Sequence, residues 1–153
     1  MEKKPIKRDK NIQPLSRDHH HTLLLCWKIR KGFSKGVAPN RMKTYSDWFF
    51  ESHVLPHFKI EEKYLFPVLG EDHDMIKRAL AEHRRLERLF KDEKDIVRSL
   101  SLIEEELELH VRYEERELFN EIQKQARPEQ LEVILEVHKD ERFQENTSDE
   151  FWK

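Results

Sequence analysis

The chain has 153 residues, enough for one domain that folds without disulfide staples and buries about 68–70% of its unfolded surface. Charged residues make up 39% and hydrophobic residues 37%, with only 3 glycines, a balance that suits long charged helices and speaks against a turn-rich β fold. A formal net charge of -2 leaves no footprint of a nucleic-acid binder, and the longest apolar run, Leu23–Trp27, falls far short of the ~20 residues that span a membrane.

Lys3, Lys4, Lys7, Arg8 and Lys10, beside Pro5, read as a solvated basic tail, so residues 1–13 are expected to be flexible. There is no apolar signal-peptide core. The single Cys26 can neither close an internal disulfide nor hold an iron–sulfur cluster, which points to a soluble protein of the cytoplasm.

Ser16 reads as the N-cap of a first helix whose apolar stretch reaches Ile29 and whose end is loosened by Gly32 and Gly36. Pro39 opens a second helix through Trp48, Phe49, Val54 and Tyr64 to about Phe66, with a kink or break expected at Pro56. After a turn at Gly70, Glu71 and Asp72, the positions Ile76, Leu80, His83, Leu86 and Phe90 advance by three and four residues along one face of a third helix, closed by the charged stretch Lys91 to Asp95. Ser101 with Glu104 has the pattern of a capping box, and Leu107, His110, Glu114, Leu118 and Ile122 carry a fourth helix to about Ala126. Pro128 restarts a shorter helix to about Lys139. In the extension 141–153, the aromatics of "DEFWK" are expected to pack back. The fold class is all-α: an antiparallel up-down four-helix bundle over residues 14–140 with a short C-terminal helix.

His57 and Glu61 lie four apart on the second helix, His110 and Glu114 four apart on the fourth, so each pair projects from one face. One such pair is an ordinary surface contact. Here both sit on core-facing stripes, the first in register with Val54 and Leu65, the second with Leu107 and Leu118, and buried carboxylates and imidazoles need partners. His83 adds an imidazole between Leu80 and Leu86. Of the adjacent His19, His20 and His21, the last shares the side of Arg17 and Lys28 and is expected to face solvent. His19 shares the side of Leu23 and Cys26 and is preferred; His20, with Leu24 and Trp27, is retained beside it. Imidazole nitrogen and carboxylate oxygen together suit iron, zinc or manganese, and bundle interiors are where carboxylate-bridged two-metal sites are built. The competing reading is a metal-free helical interaction protein with a buried hydrogen-bond network.

Several residues near this set take lesser roles. Glu62 and Glu115 read as solvated acids or as supports behind a ligand, and His53 as a support one turn before His57. Tyr113 reads as a core aromatic with its hydroxyl at the bundle surface, and His73 and His138 as loop or surface residues.

Taken in order, an early histidine on the first helix, "HFKIEE" on the second, "EHRRL" on the third and "HVRYEE" on the fourth resemble a hemerythrin-like HHE cation-binding domain over residues 14–140. The resemblance implies two iron ions in a non-haem di-iron centre inside the bundle. Its ligands would be His57, Glu61, His83, His110 and Glu114, with His19 or His20 as the remaining imidazole and Glu61 and Glu114 bridging. The chain departs from the oxygen-carrying branch, which has two histidines four apart on the third helix and a histidine followed five residues later by an aspartate on the fourth. Here position 87 is Glu87, kept as a candidate ligand, and the acid after His110 is Glu114. The expectation is a protein that binds or senses dioxygen or nitric oxide, or handles iron, rather than an oxygen carrier. The alternative is a di-iron enzyme of peroxidase, nitric oxide reductase or ferroxidase type.

Overall fold

Prolines mark three of the five helix starts, as the missing N–H of proline is harmless in a first turn. In the computed structural model, which describes residues 7–138 and 142–153, helix α1 is Gln13–Ser34 with Pro14 in its first turn. It begins before Ser16, whose hydroxyl does not cap but donates to Glu115 across the bundle at 2.9 Å. Helix α2 is a continuous rod: Pro39–Phe49, a π turn at Phe50–Val54, Leu55–Ile60, a second π turn at Glu61–Leu65, and a 3₁₀ turn at Phe66–Val68. The break expected at Pro56 is instead a widened turn just ahead of it, in which the Leu55 N–H reaches five residues back to the Phe50 carbonyl.

Helix α3 is Asp74–Lys91, with His73 as its cap accepting the Met75 N–H at 3.1 Å. Helix α4 starts at Ile96, where Asp95 accepts the Arg98 N–H at 3.2 Å, so Ser101 lies inside the helix and the expected capping box there is not used. It runs as Ile96–Tyr113, a π turn at Glu114–Leu118, and Phe119–Gln125. Helix α5 is Pro128–His138; its expected end at Lys139 lies outside the described residues.

Cross-helix pairs fix the directions. Along α1 and α4, His19 meets Glu115 and Arg30 meets Glu104; along α3 and α4, Glu82 meets His110 and Arg85 meets Glu106. Along α1 and α2, Asp18 meets His57 and Lys28 meets Tyr45, and along α2 and α3, Lys43 meets Phe90 and Glu62 meets His83. In every case later residues of one helix meet earlier residues of the next, which is an antiparallel four-helix bundle.

Two apolar clusters fill it. One gathers Leu25, Ile29, Met42, Phe49, Phe58, Phe90, Leu100 and Leu107; the other gathers Ile12, Leu15, Leu65, Phe66, Ile76, Leu118 and Ile122. Neither contains the histidines and glutamates of the two H-x-x-x-E pairs, which form a buried polar layer where one set gives way to the other along the helices.

The described residues at both ends of the chain pack on the bundle, the C-terminal aromatics as expected. Arg8 binds Asn120, Gln123 and the Glu115 carbonyl, at 3.2, 2.9 and 2.8 Å, and Ile12 is fully buried, so the described part of the basic stretch is docked on α4. At the other end Phe151 and Trp152 are buried against Tyr45. Lys28, expected to face solvent, is buried because the C-terminal segment covers it: its Nζ binds Tyr45 Oη at 2.8 Å and Glu145 at 2.6 Å and stands 4.1 Å from the Trp152 ring centre.

Candidate metal centre

Six side chains converge in the polar layer: His19 from α1, His57 and Glu61 from α2, His83 from α3, His110 and Glu114 from α4. Both glutamates and His83 are completely buried, and His19, His57 and His110 nearly so. They fall into two overlapping groups, His19, His57, Glu61 and Glu114, and His83, His110, Glu61 and Glu114, each with ligand-type atoms within 4.8 Å of one another. The two glutamates belong to both.

The layer is built twice by one pattern. An acid followed by histidine occurs as Asp18–His19 on α1 and as Glu82–His83 on α3. The sequence H-x-x-x-E-E-x-x-L-F occurs at 57–66 and again at 110–119. In each copy the inner glutamate opens a π turn, the Phe66 N–H reaching the Glu61 carbonyl and the Phe119 N–H the Glu114 carbonyl. That widened turn lets consecutive acids serve the layer from two sides. Glu61 and Glu114 point inward, while Glu62 takes the back of the His83 ring and Glu115 the back of His19, each at 2.7 Å from Nδ1. The acids of the first pattern do the same for the other two rings: Asp18 to His57 Nδ1 at 2.9 Å and Glu82 to His110 Nδ1 at 2.6 Å.

With every Nδ1 engaged from behind, every Nε2 faces inward. His19 Nε2 lies 3.0 Å from Glu114 and 3.1 Å from His57 Nε2. His57 and His83 Nε2 lie 3.1 Å from the two oxygens of Glu61, and His110 Nε2 3.3 Å from Glu114, without hydrogen-bond alignment. Both Glu61 oxygens, Glu114 Oε2, His83 Nε2 and His110 Nε2 are therefore buried with no hydrogen-bond partner. Buried orphans of this kind cost about 1–3 kcal/mol each, and more when charged, unless something occupies the space between them. Nitrogen and oxygen donors gathered in two overlapping buried groups are a donor set that suits metal cations, so the residues fit such an ion. Aromatic walls keep the layer dry: the Phe58 ring stacks on His83 at 3.7 Å, Phe66 stands 5.3 Å from the same ring, and Phe119 stacks on His19 at 5.3 Å.

Electrostatics in the metal-free layer follow from this crowding. Burial alone would push each imidazole down, but Glu114 and Glu82 hold His110 up at about 10, and Glu61 and Asp18 hold His57 well above its usual value. His19 is likewise raised, against burial, by Glu114 and Glu115. Burial works to raise Glu114, yet His110 and His19 hold it well below the ordinary carboxylate range.

Of the eight positions the sequence singles out, the structure brings six together. His20 is exposed on α1, on the same open side as Leu24 and Trp27, and His19 takes the inward place. Glu87 is turned to Arg84 at 3.3 Å and belongs to neither group. Tyr113 donates to the Met75 carbonyl at 3.1 Å, away from the layer. His53 supports α1 rather than a ring of the layer, its Nε2 lying 3.1 Å from the Asp18 carbonyl. His21 is half-buried under Phe143, whose ring stacks on it at 4.3 Å, instead of facing solvent.

Sequence reasoning missed Asp18, Glu82 and His138. The last reads as a surface residue, yet it is buried, with Nε2 2.7 Å from Asp18 Oδ2. A signal was available: Leu131, Ile134 and His138 follow one another at helical spacing on the buried side of α5.

Comparison with protein families matches residues 11–101 to the hemerythrin HHE cation binding domain, a stretch that contains His19, His57, Glu61 and His83 and ends before His110. Comparison with curated proteins and with solved structures finds no match.

Proposed function

The chain belongs to the hemerythrin HHE cation-binding domain family, and from that premise we propose that it is a non-haem di-iron protein that binds or senses dioxygen or nitric oxide, or handles iron. His19 and His57 would hold one ion, His83 and His110 the other, with Glu61 and Glu114 shared between them. The observation that carries this reading is the set of orphaned inward atoms on Glu61, Glu114, His83 and His110, each on a side chain that is itself fixed or walled in. When bound, ferrous ions with an open position supply redox chemistry toward a small diatomic ligand.

The chain's own residues set the conditions for that chemistry. Carboxylates behind all four rings lock the Nδ1–H tautomer and leave Nε2 as the donor to the ion. Phe58, Phe66 and Phe119 exclude water. Cys26, a buried thiol pushed up to about 12 chiefly by burial, takes no part and suits the cytoplasm as well as any reducing compartment. Among the described residues no helix is long and apolar enough to cross a membrane.

Metal analysis on chain purified without added metal or a histidine tag, with optical spectra before and after anaerobic reduction and exposure to air, tests the proposal. About two irons per chain, with a near-ultraviolet band that vanishes on reduction, is the expected result. His57→Ala and His110→Ala should each lower metal content sharply; full metal content in both would falsify the assignment. Sustained turnover of peroxide or nitric oxide would instead identify an enzyme. Protein that refuses Fe(II) on anaerobic reconstitution would make the layer a structural network.

A further inference from the structure

Each acid behind an inner histidine is itself held by another side chain. Glu115 takes the Ser16 hydroxyl at 2.9 Å and pairs with Arg8 at 3.5 Å; Glu62 takes Arg84; Glu82 takes Arg78 Nε at 2.9 Å. For Asp18 the outer group is His138, whose Nε2 lies 2.7 Å from the same Oδ2 that holds His57 Nδ1 at 2.9 Å. The first three partners come from within the four-helix bundle or from its docked N-terminal stretch. His138 comes from α5, beyond the residues that match the family.

Two observations give this contact weight. His138 shares the buried side of α5 with Leu131 and Ile134, and Ile134 is fully enclosed, so the packing of α5 on α2 determines where the ring stands. A cavity of about 590 Å³ lined by Arg17, Asp18, His21 and His138 adjoins the carboxylate. Without the His138 donor, water or Arg17 can claim Asp18 and turn it off the His57 ring. Among the described residues, the side chains that hold the short Asp18 carboxylate in place are His57 and His138.

We propose that His138 is a positioning residue for one half of the centre: by holding Asp18 it fixes the ring of His57, so the ion at His19 and His57 depends on α5 while the ion at His83 and His110 does not. This rests on the two-ion reading above. Arg78 holds the mirror position, acting through Glu82 on His110.

The test is anaerobic titration of the full chain with Fe(II), and separately with Co(II), followed by calorimetry and, for Co(II), by the visible spectrum. Wild-type chain should take up two ions. His138→Leu, which removes the donor and keeps an apolar side chain, should weaken one ion by about tenfold or more and leave the other unchanged. His138→Gln, whose amide can still donate to Asp18, should recover most of that loss, and Arg78→Met should weaken the other ion. Combining His138→Leu with Arg78→Met should weaken both. If leucine unsettles α5 by circular dichroism, His138→Phe keeps the ring without the donor and gives the same comparison with His138→Gln. Two ions bound with wild-type affinity by the donor-less variant, or both weakened equally, overturns the positioning role. Wild-type chain that takes up fewer than two ions overturns the two-ion reading itself.

Discussion

His57 Nε2 faces His19 Nε2 at 3.1 Å, with the other nitrogen of each ring already committed to a carboxylate. Two neutral imidazoles so arranged would set lone pair against lone pair. In the metal-free chain a single proton resolves the conflict, one Nε2–H donating to the lone pair of the other ring, and the acids around the pair hold both rings above the usual imidazole range against the effect of burial.

Metal uptake must therefore expel protons. His110, held at about 10, and the facing His19–His57 pair, held above the usual imidazole range, must shed a proton to coordinate, so Zn(II), used as a redox-inert probe, should release about two protons per chain, one from His110 and one from the pair. Apparent affinity should rise with pH toward the His110 value of about 10. An indicator dye in weakly buffered solution reads the release directly. Metal that binds without acidifying the solution would contradict the arrangement.

Glu62 and Glu115 act on the centre without facing it. Each accepts from an Nδ1–H at 2.7 Å, so Glu62→Ala frees the His83 ring and Glu115→Ala frees His19. Loss of such a support typically weakens metal binding by about 10–100-fold, and Glu62→Gln, which keeps an acceptor without the charge, should fall between alanine and wild type. Competition with a chelator of known affinity measures it, and variants that compete as well as wild type would reduce both acids to surface contacts.

Most of this architecture was legible because one periodicity wrote it. The stripes that place Val54 with Leu65 and Leu107 with Leu118 in the core also place His57, Glu61, His110 and Glu114 there, and the open side shared by His20, Leu24 and Trp27 separates His20 from His19. What escaped were contacts between helices. Asp18 and Glu82 sit beside inner histidines in the chain but bond rings on neighbouring helices, and helical spacing within one segment carries no information about the partner across the bundle. Glu87 failed for a related reason: it lies four residues after His83, near the same face, yet Arg84 holds it away. The π turns at Glu61 and Glu114 likewise leave no mark that residue propensity can read, although the repeated E-E after each H-x-x-x marks their position.

Gly32 shows a similar gap. Sequence suggests that it loosens the end of α1, whereas it is buried within the helix, where an added Cβ would stand 2.4 Å from Met42 Sδ and 2.9 Å from the Phe151 ring. Alanine has the higher helix propensity, so a gain of about 1 kcal/mol is expected from the backbone alone. Overpacking opposes it at about 1–3 kcal/mol, and because the obstacle is a flexible Met side chain together with an aromatic seated in the core, Gly32→Ala should be destabilising on balance. Chemical denaturation checks the sign, with metal content expected to stay at the wild-type level. A more stable variant would mean that the C-terminal aromatics yield easily.

His53 gives the metal-free protein an acid-sensitive point apart from the six inner residues. Burial pushes its imidazole down to about 4, and the bond from Nε2 to the Asp18 carbonyl at 3.1 Å only partly offsets this. Between that value and the ordinary 6.5, the unfolded chain binds a proton that the native chain refuses, so stability rises with pH across the window and is lost as pH falls through it. The full effect is about 3 kcal/mol. His53→Gln keeps a donor for the Asp18 carbonyl and cannot titrate. Compared as metal-free chains, so that the common titrations cancel, the variant should lose less stability than wild type between pH 6.5 and pH 4. Parallel denaturation curves for the two chains over that range would show that His53 takes up its proton without resisting it, and that the contact with α1 yields before the bundle does.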